Sequence, residues 1–200
     1  MSGYDQLFVP GMTTSAGCVT PSSELSRAAK VLKWPGITID EMQLFSQRVA
    51  VVAEVDSHAH DERVASGWGP VTDRMAVALW EWEESRATMP PAVVTLRGVI
   101  ARGQRWQRVL AAAGGFVGFC STAILLDQSH EPNQHCLMTA HMHGIAVLRS
   151  SQPGECPHLA QVGRVGPVAT ARPSTLSRWV EELVYARLLD DDLLTAQVTG

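Results

Sequence analysis

Apolar positions along the chain fall into short blocks separated by Gly, Pro and polar runs, and the spacing within each block predicts an element. SSELSRAAKVLKW reads as a helix capped by Ser22 or Ser23 and stopped by Pro35 and Gly36. A second helix is predicted from Thr38, whose T-x-x-E spacing to Glu41 matches a capping box and whose Met42, Phe45, Val49 and Val52 recur at helical intervals. Beyond the polar stretch EVDSHAHDERVASGWGP, Thr72 caps VTDRMAVALWEWEESRAT, where Met75, Leu79 and Trp82 share one face. Pro90 and Pro91 open a fourth candidate helix, weakened by Gly98 and Gly103 and ended by Gly114 and Gly115.

From Phe116 the pattern turns to β: FVGFCSTAILL, then the turn-rich DQSHEPNQ, then QHCLMTAHMHGIAV, and later HLAQVGRVGPVATA. HCLMTA and IAVLRS each have strand character, and HMHG between them, ending in Gly144, reads as a hairpin turn. Ser174 then caps STLSRWVEELVYARLL, with Leu176, Trp179, Val180, Leu183 and Val184 as its apolar stripe, and the helix is predicted to stop before the acidic run Asp190 to Asp192. The sum is an α+β fold: N-terminal helices, then an antiparallel sheet, then a C-terminal helix packed on it. Residues 1–21 read as an irregular arm, and 22–200 as one domain.

Composition changes this picture little. With 46% hydrophobic and 18% charged residues, 200 residues fill one core without covalent staples. A net charge of -4 gives no general reason to seek a phosphate backbone, so nucleic acid is disfavoured. Cys18, Cys120, Cys136 and Cys156 are scattered and read as reduced thiols. No apolar run reaches membrane-spanning length and the N-terminus has no basic start, so the expectation is a cytoplasmic protein without membrane insertion.

Candidate chemistry rests on histidines. On one straight strand His141 and His143 stand side by side, close enough to share a metal, with Cys156 or His158 as distant further ligands. The histidine-triad pattern fails at Ile145, and in a hairpin both residues move to the loop tip. DSHAHDE resembles the metal motif of metallo-β-lactamase-like hydrolases through His58 and His60, with Asp61 as a further ligand or base, yet Glu62 and Arg63 depart from it. A zinc hydrolase on either cluster is therefore the alternative reading, and a solvated loop or helix end the simpler one. A helix-turn-helix over residues 22–53 is a second alternative, short of positive charge. Arg97, Arg102, Arg105 and Arg108 spread around more than one side of their helix. No nucleophile elbow, P-loop or dinucleotide fingerprint is present, and neither catalytic residues nor a cofactor are expected.

Three segments carry a family resemblance. ITIDEMQLFSQRVAV looks like an opening strand leading into an amphipathic element. ARGQRWQRVLAAAGGFVGFCSTAILLDQ followed by HCLMTAHMHGIAVLRSS is similar to a helix, a strand and a hairpin, and VGRVGPVATARPSTLSRWVEELV to a closing strand, bend and helix. In this order they resemble the EspG-like cytosolic chaperones of type VII (ESX) secretion, whose members contain two related halves where this chain has little more than one. The resemblance implies a non-enzymatic protein that binds helical, aggregation-prone secretion substrates. An open sheet face carrying Leu137, Thr139, His141 and His143 is the expected partner-binding surface, while Trp82, Trp106 and Trp179 on amphipathic stripes are expected in the core.

Overall fold

The computed structural model describes residues 23–171 and 174–194. The arm expected over residues 1–21 lies outside the described residues. In chain order the elements are α1 (Glu24–Val31), β1 (Ile37–Leu44), β2 (Gln47–Val55), α2 (Ser57–Ala65), α3 (Arg74–Ala78), a 3₁₀ turn (Leu79–Glu81) and α4 (Glu83–Arg86). They are followed by β3 (Val94–Gly103), α5 (Trp106–Gly114), β4 (Ser121–Leu126), α6 (Gln134–His143), β5 (Ala146–Arg149), β6 (His158–Gln161) and α7 (Thr175–Asp190).

Among the described residues six strands form one sheet in chain order, β1-β2-β3-β4-β5-β6. The α+β class and the C-terminal helix packed on the sheet are both present. The sheet is mixed rather than antiparallel: β3/β4 and β4/β5 are parallel, the remaining pairs antiparallel. The reason is that α5 and α6 stand between the central strands, and a helical crossover returns the chain in the same direction where a tight turn reverses it. STAILL, buried at every position, is the near-continuous apolar run of a strand covered on both sides.

Ser23 caps α1 through its hydroxyl, which accepts from the Ser26 N–H at 3.0 Å. The predicted second helix is instead the β1–β2 hairpin. Leu44 and Gln47 pair across a two-residue turn in which Phe45 and Ser46 have φ of 48° and 63°. Two left-handed residues in succession are the backbone of a type I′ turn, which matches the twist of the flanking strands. Neither residue is glycine, and the Phe45 ring has its own anchorage, with its centroid 5.7 Å from Phe116 and 5.6 Å from Phe119. The helix-turn-helix over residues 22–53 therefore lacks its second helix.

Alternation along the strands feeds two cores. On one face Val49, Val51, Val99, Ile124 and Val147 meet α5, α6 and α7 through Leu110, Ala140, Val180 and Val184. On the other, Ala50, Ile100, Ala123, Leu125 and Leu148 meet α1 through Leu25 and Ala28. The expected open sheet face is thus covered over the central strands, where alanines let α1 approach closely. Trp34, beyond the end of α1, lies against Gly98 of β3, where an added Cβ would come within 2.1 Å of the indole.

The QHCLMTAHMHGIAV segment departs furthest from expectation. Gln134–His143 is helix α6, capped by Asn133, whose side chain accepts from the Cys136 N–H at 2.8 Å. Gly144, with φ of 68°, ends the helix in the left-handed conformation. The glycine that reads as a hairpin turn is a helix C-cap, and only Ala146–Arg149 beyond it is strand.

Candidate functional site

Between β2 and β3, which pair side by side from Val55 and Val94 onward, the chain makes a long excursion over residues 56–93. Asp56 caps α2 by accepting from the Ala59 N–H at 3.1 Å. Ala59 and Arg63, one turn apart, are the two buried residues of α2. Asp73 caps the short α3, from which Val77 alone is buried. The predicted long helix from Thr72 is broken into α3, the 3₁₀ turn and α4, and the face expected to reach the core points outward: Met75 is 74% exposed, Leu79 57% and Trp82 66%. Eleven large hydrophobic side chains are exposed among the described residues, and six of them (Val64, Trp68, Met75, Leu79, Trp82, Met89) lie in this excursion.

Polar contacts, more than apolar ones, hold the excursion against α7. Arg63 is 0% exposed, and its guanidinium forks onto Glu182 at 2.7 and 3.0 Å. Its remaining donors reach the carbonyls of Trp68, Gly69 and Pro91. Glu182, 2% exposed, also accepts from Arg178 at 2.9 Å and from the Val71 N–H at 2.8 Å. All five donors of Arg63 and both carboxylate oxygens of Glu182 are engaged, which is what a buried ion pair requires in order to be tolerated. Arg178 continues to the Pro90 carbonyl at 2.7 Å, and the Trp179 indole donates to the Thr72 carbonyl at 2.7 Å. Tyr185 lies under Arg63, with its ring centroid 4.9 Å from the guanidinium carbon, and its hydroxyl meets His60 Nδ1 at 3.0 Å. Burial pushes the Tyr185 phenol up, Glu182 adds to this, and Arg63 opposes it.

Glu181, next along α7, has no such partner set. Burial pushes its carboxyl up to about 7, with Glu182 adding to the rise while Arg178 and the Leu96 N–H oppose it. A carboxyl whose folded value exceeds its unfolded one favours the folded state while protonated and loses that contribution as pH rises through the folded value. Glu181→Gln is therefore expected to match the parent near pH 4 and to melt several degrees higher at pH 8, measured by thermal denaturation across the pH range. A midpoint difference independent of pH would contradict this assignment.

The histidines separate. His58 and His60 stand two apart on α2, which puts them on opposite sides of a helix; His58 is exposed and His60 turns inward to Tyr185. Asp61 is exposed. His141 and His143, neighbours on a strand face, likewise point about 200° apart on α6. His158 and Cys156 are exposed beside β6. Among the described residues no three His, Cys, Asp or Glu side chains come close enough to hold a metal ion. Cys120 is buried, and burial raises its thiol to about 12.

Of the expected partner-binding residues, Leu137 and Thr139 are half-buried on α6, Leu137 against the main core and Thr139 donating back to the His135 carbonyl at 2.8 Å. His141 and His143 are exposed, alongside Met138 and Met142. Trp106 and Trp179 are half-buried against the core, whereas Trp82 is solvent-facing. Arg63, Arg178 and Glu182 escape a reading for metal or catalytic motifs. The one signal that finds them is a lone arginine facing the core beside Ala59, which demands a buried acid. No helix among the described residues is long and apolar enough to cross a membrane. No family model, curated protein or solved structure matches the chain.

Proposed function

We propose that the protein is a non-enzymatic protein-binding module whose excursion over residues 56–93 receives a basic, amphipathic helical segment of a partner. One observation carries this reading: exposed apolar surface and charge coincide there. Residues 56–89 contain seven acidic and three basic residues, a surplus equal to the net charge of -4 of the whole chain. The same stretch carries Met75, Leu79 and Trp82 outward on a framework pinned by buried hydrogen bonds. Apolar side chains rimmed by carboxylates suit an amphipathic helix whose apolar face is flanked by Lys or Arg. A chaperone role toward helical secretion substrates, which the EspG-like resemblance implies, is one form of this activity.

The test uses a designed Leu/Lys amphipathic helix as probe, titrated by fluorescence anisotropy, with a Leu/Glu version of the same pattern as control. The Leu/Lys helix is expected to bind and the Leu/Glu helix not to, and Trp82→Ser together with Leu79→Ser is expected to weaken binding by about tenfold or more, the scale of aromatic hot spots. Equal binding of the two helices, or no effect of the double substitution, overturns the reading.

A further inference from the structure

Helices α5 and α6 connect the parallel strands β3, β4 and β5, so they run side by side in the same direction over one face of the sheet. Trp106 at the start of α5 meets His135 at the start of α6, with ring centroids 5.3 Å apart. Between the helices lies an open groove of about 410 Å³, walled by Trp106, Leu110 and Ala111 of α5, His143 of α6 and Ile145 beyond it. No carboxylate of the described residues lines it. His135, Met138 and Met142 follow one another at spacings of three and four, so they form one stripe along α6. Met138 and Met142 are 57% and 77% exposed, which gives the groove an adaptable apolar shoulder.

The charge around this groove is of one sign. Neither α5 nor α6 contains an acidic residue, and residues 90–126 hold four arginines and no acid. Arg97 and Arg102 are paired with Glu54 and Glu24, whereas Arg105 and Arg108 are exposed and meet no carboxylate among the described residues. Arg108 stands one turn before Ala111 on α5, and Arg164 donates to the His143 carbonyl at 3.2 Å at the other end of the groove. An apolar groove with arginines at its border calls for an apolar projection flanked by carboxylates. The excursion over residues 56–93 carries one: Trp82, 66% exposed, stands between Glu81 and the exposed pair Glu83 and Glu84. Within one copy the two do not meet, since the excursion is fastened to α7 through Arg63 and Glu182 and none of its residues lines the groove.

Resting on the function proposed above, we propose that the basic, amphipathic helix received by the excursion is α5 of a second copy of this chain. Trp82 of one copy seats in the α5–α6 groove of the next, with Glu83 and Glu84 toward Arg105 and Arg108. The two surfaces are different patches of the chain, so the contact is head to tail, and a free basic amphipathic helix competes with it.

Sedimentation velocity of the full chain over a concentration series tests this. The average mass is expected to rise with protein concentration and to fall when salt is raised to about 0.5 M, which screens exposed charges. Ala111→Glu, which sets a carboxylate on the groove wall, is expected to weaken the association by about tenfold or more, as is Trp82→Ser together with Leu79→Ser. All three positions are exposed, so the variants keep the fold. Mixed with each other, the two variants are expected to form a one-to-one pair that neither forms alone, because the first keeps an intact excursion and the second an intact groove. A chain that stays monomeric up to about 1 mM overturns the proposal. So does association that survives both variants, or variants that fail to pair on mixing. The reading of the excursion is tested apart from it: a monomeric chain that still binds the Leu/Lys helix loses only the second copy as occupant, and one that binds neither loses both.

Discussion

Glu182→Ala is expected to lower the unfolding free energy by about 3–5 kcal/mol, the cost of stranding one partner of a buried ion pair. Against a total of about 5–15 kcal/mol for a folded domain, that brings the variant near the edge of stability. The loss has three sources. Arg63 stays fully buried with its charge uncompensated, the Val71 N–H loses its acceptor, and Arg178 loses the carboxylate that orients it toward the Pro90 and Pro91 carbonyls. Substituting Leu at 182 together with Met at 63 recovers only part of the loss, because the carbonyls of Trp68 and Gly69 then lose the Arg63 donors and the Val71 N–H its acceptor. Urea denaturation measures the free energies, and amide exchange over residues 64–92 locates the loosening in the excursion. A cost below about 1 kcal/mol, the level of an exposed ion pair, would show that the excursion is held by something else.

Gly98→Ala is the second large effect. The methyl group would stand 2.1 Å from the Trp34 ring in the middle of β3, between Val52 of β2 and Ser121 of β4. The backbone of a central strand has no room to retreat, so the indole must leave its place on the second core, at a cost of about 1–3 kcal/mol. Combining it with Trp34→Ala removes the clash, and the two substitutions together should cost less than their sum by about 1 kcal/mol or more. Additive costs would mean that the ring and the glycine do not meet.

The same pair explains part of what the sequence conceals. Gly98 reads as a weakness in a helix, whereas it is the gap in a strand into which Trp34 fits. Met42, Phe45, Val49 and Val52 recur at intervals that a helix requires, but Met42 lies on β1, Phe45 in the turn, and Val49 and Val52 on opposite faces of β2. In α6 the error runs the other way: β-like composition and a terminal glycine suggest a hairpin, while the signal for a helix is the less prominent Asn133 at the N-cap. The elements that were legible carry consistent signals at every level. α1 has Ser23 and a following Pro-Gly stop, β4 the apolar run AILL, and α7 has Ser174, whose hydroxyl accepts from the Ser177 N–H, and runs to Asp190, only just into the acidic run predicted to end it. The histidine clusters were legible as residues but not as geometry, since a two-residue spacing unites side chains on a strand and opposes them on a helix. The acidic excess of residues 56–89 can be counted along the chain, but the reading of this stretch stopped at its polar character; that its apolar residues face outward is not a property of their spacing.

The pairing of Arg63 with Glu182 of α7 sets an order of events during synthesis. Arg63 is made 119 positions before the carboxylate that neutralises it. A chain emerging from the ribosome can pair β1 through β5 while the excursion still has a bare guanidinium where α7 will dock. The outward-facing tryptophans and methionines are then carried on an unanchored loop until α7 arrives, so the nascent chain passes through a stage at which its stickiest segment is also its least constrained.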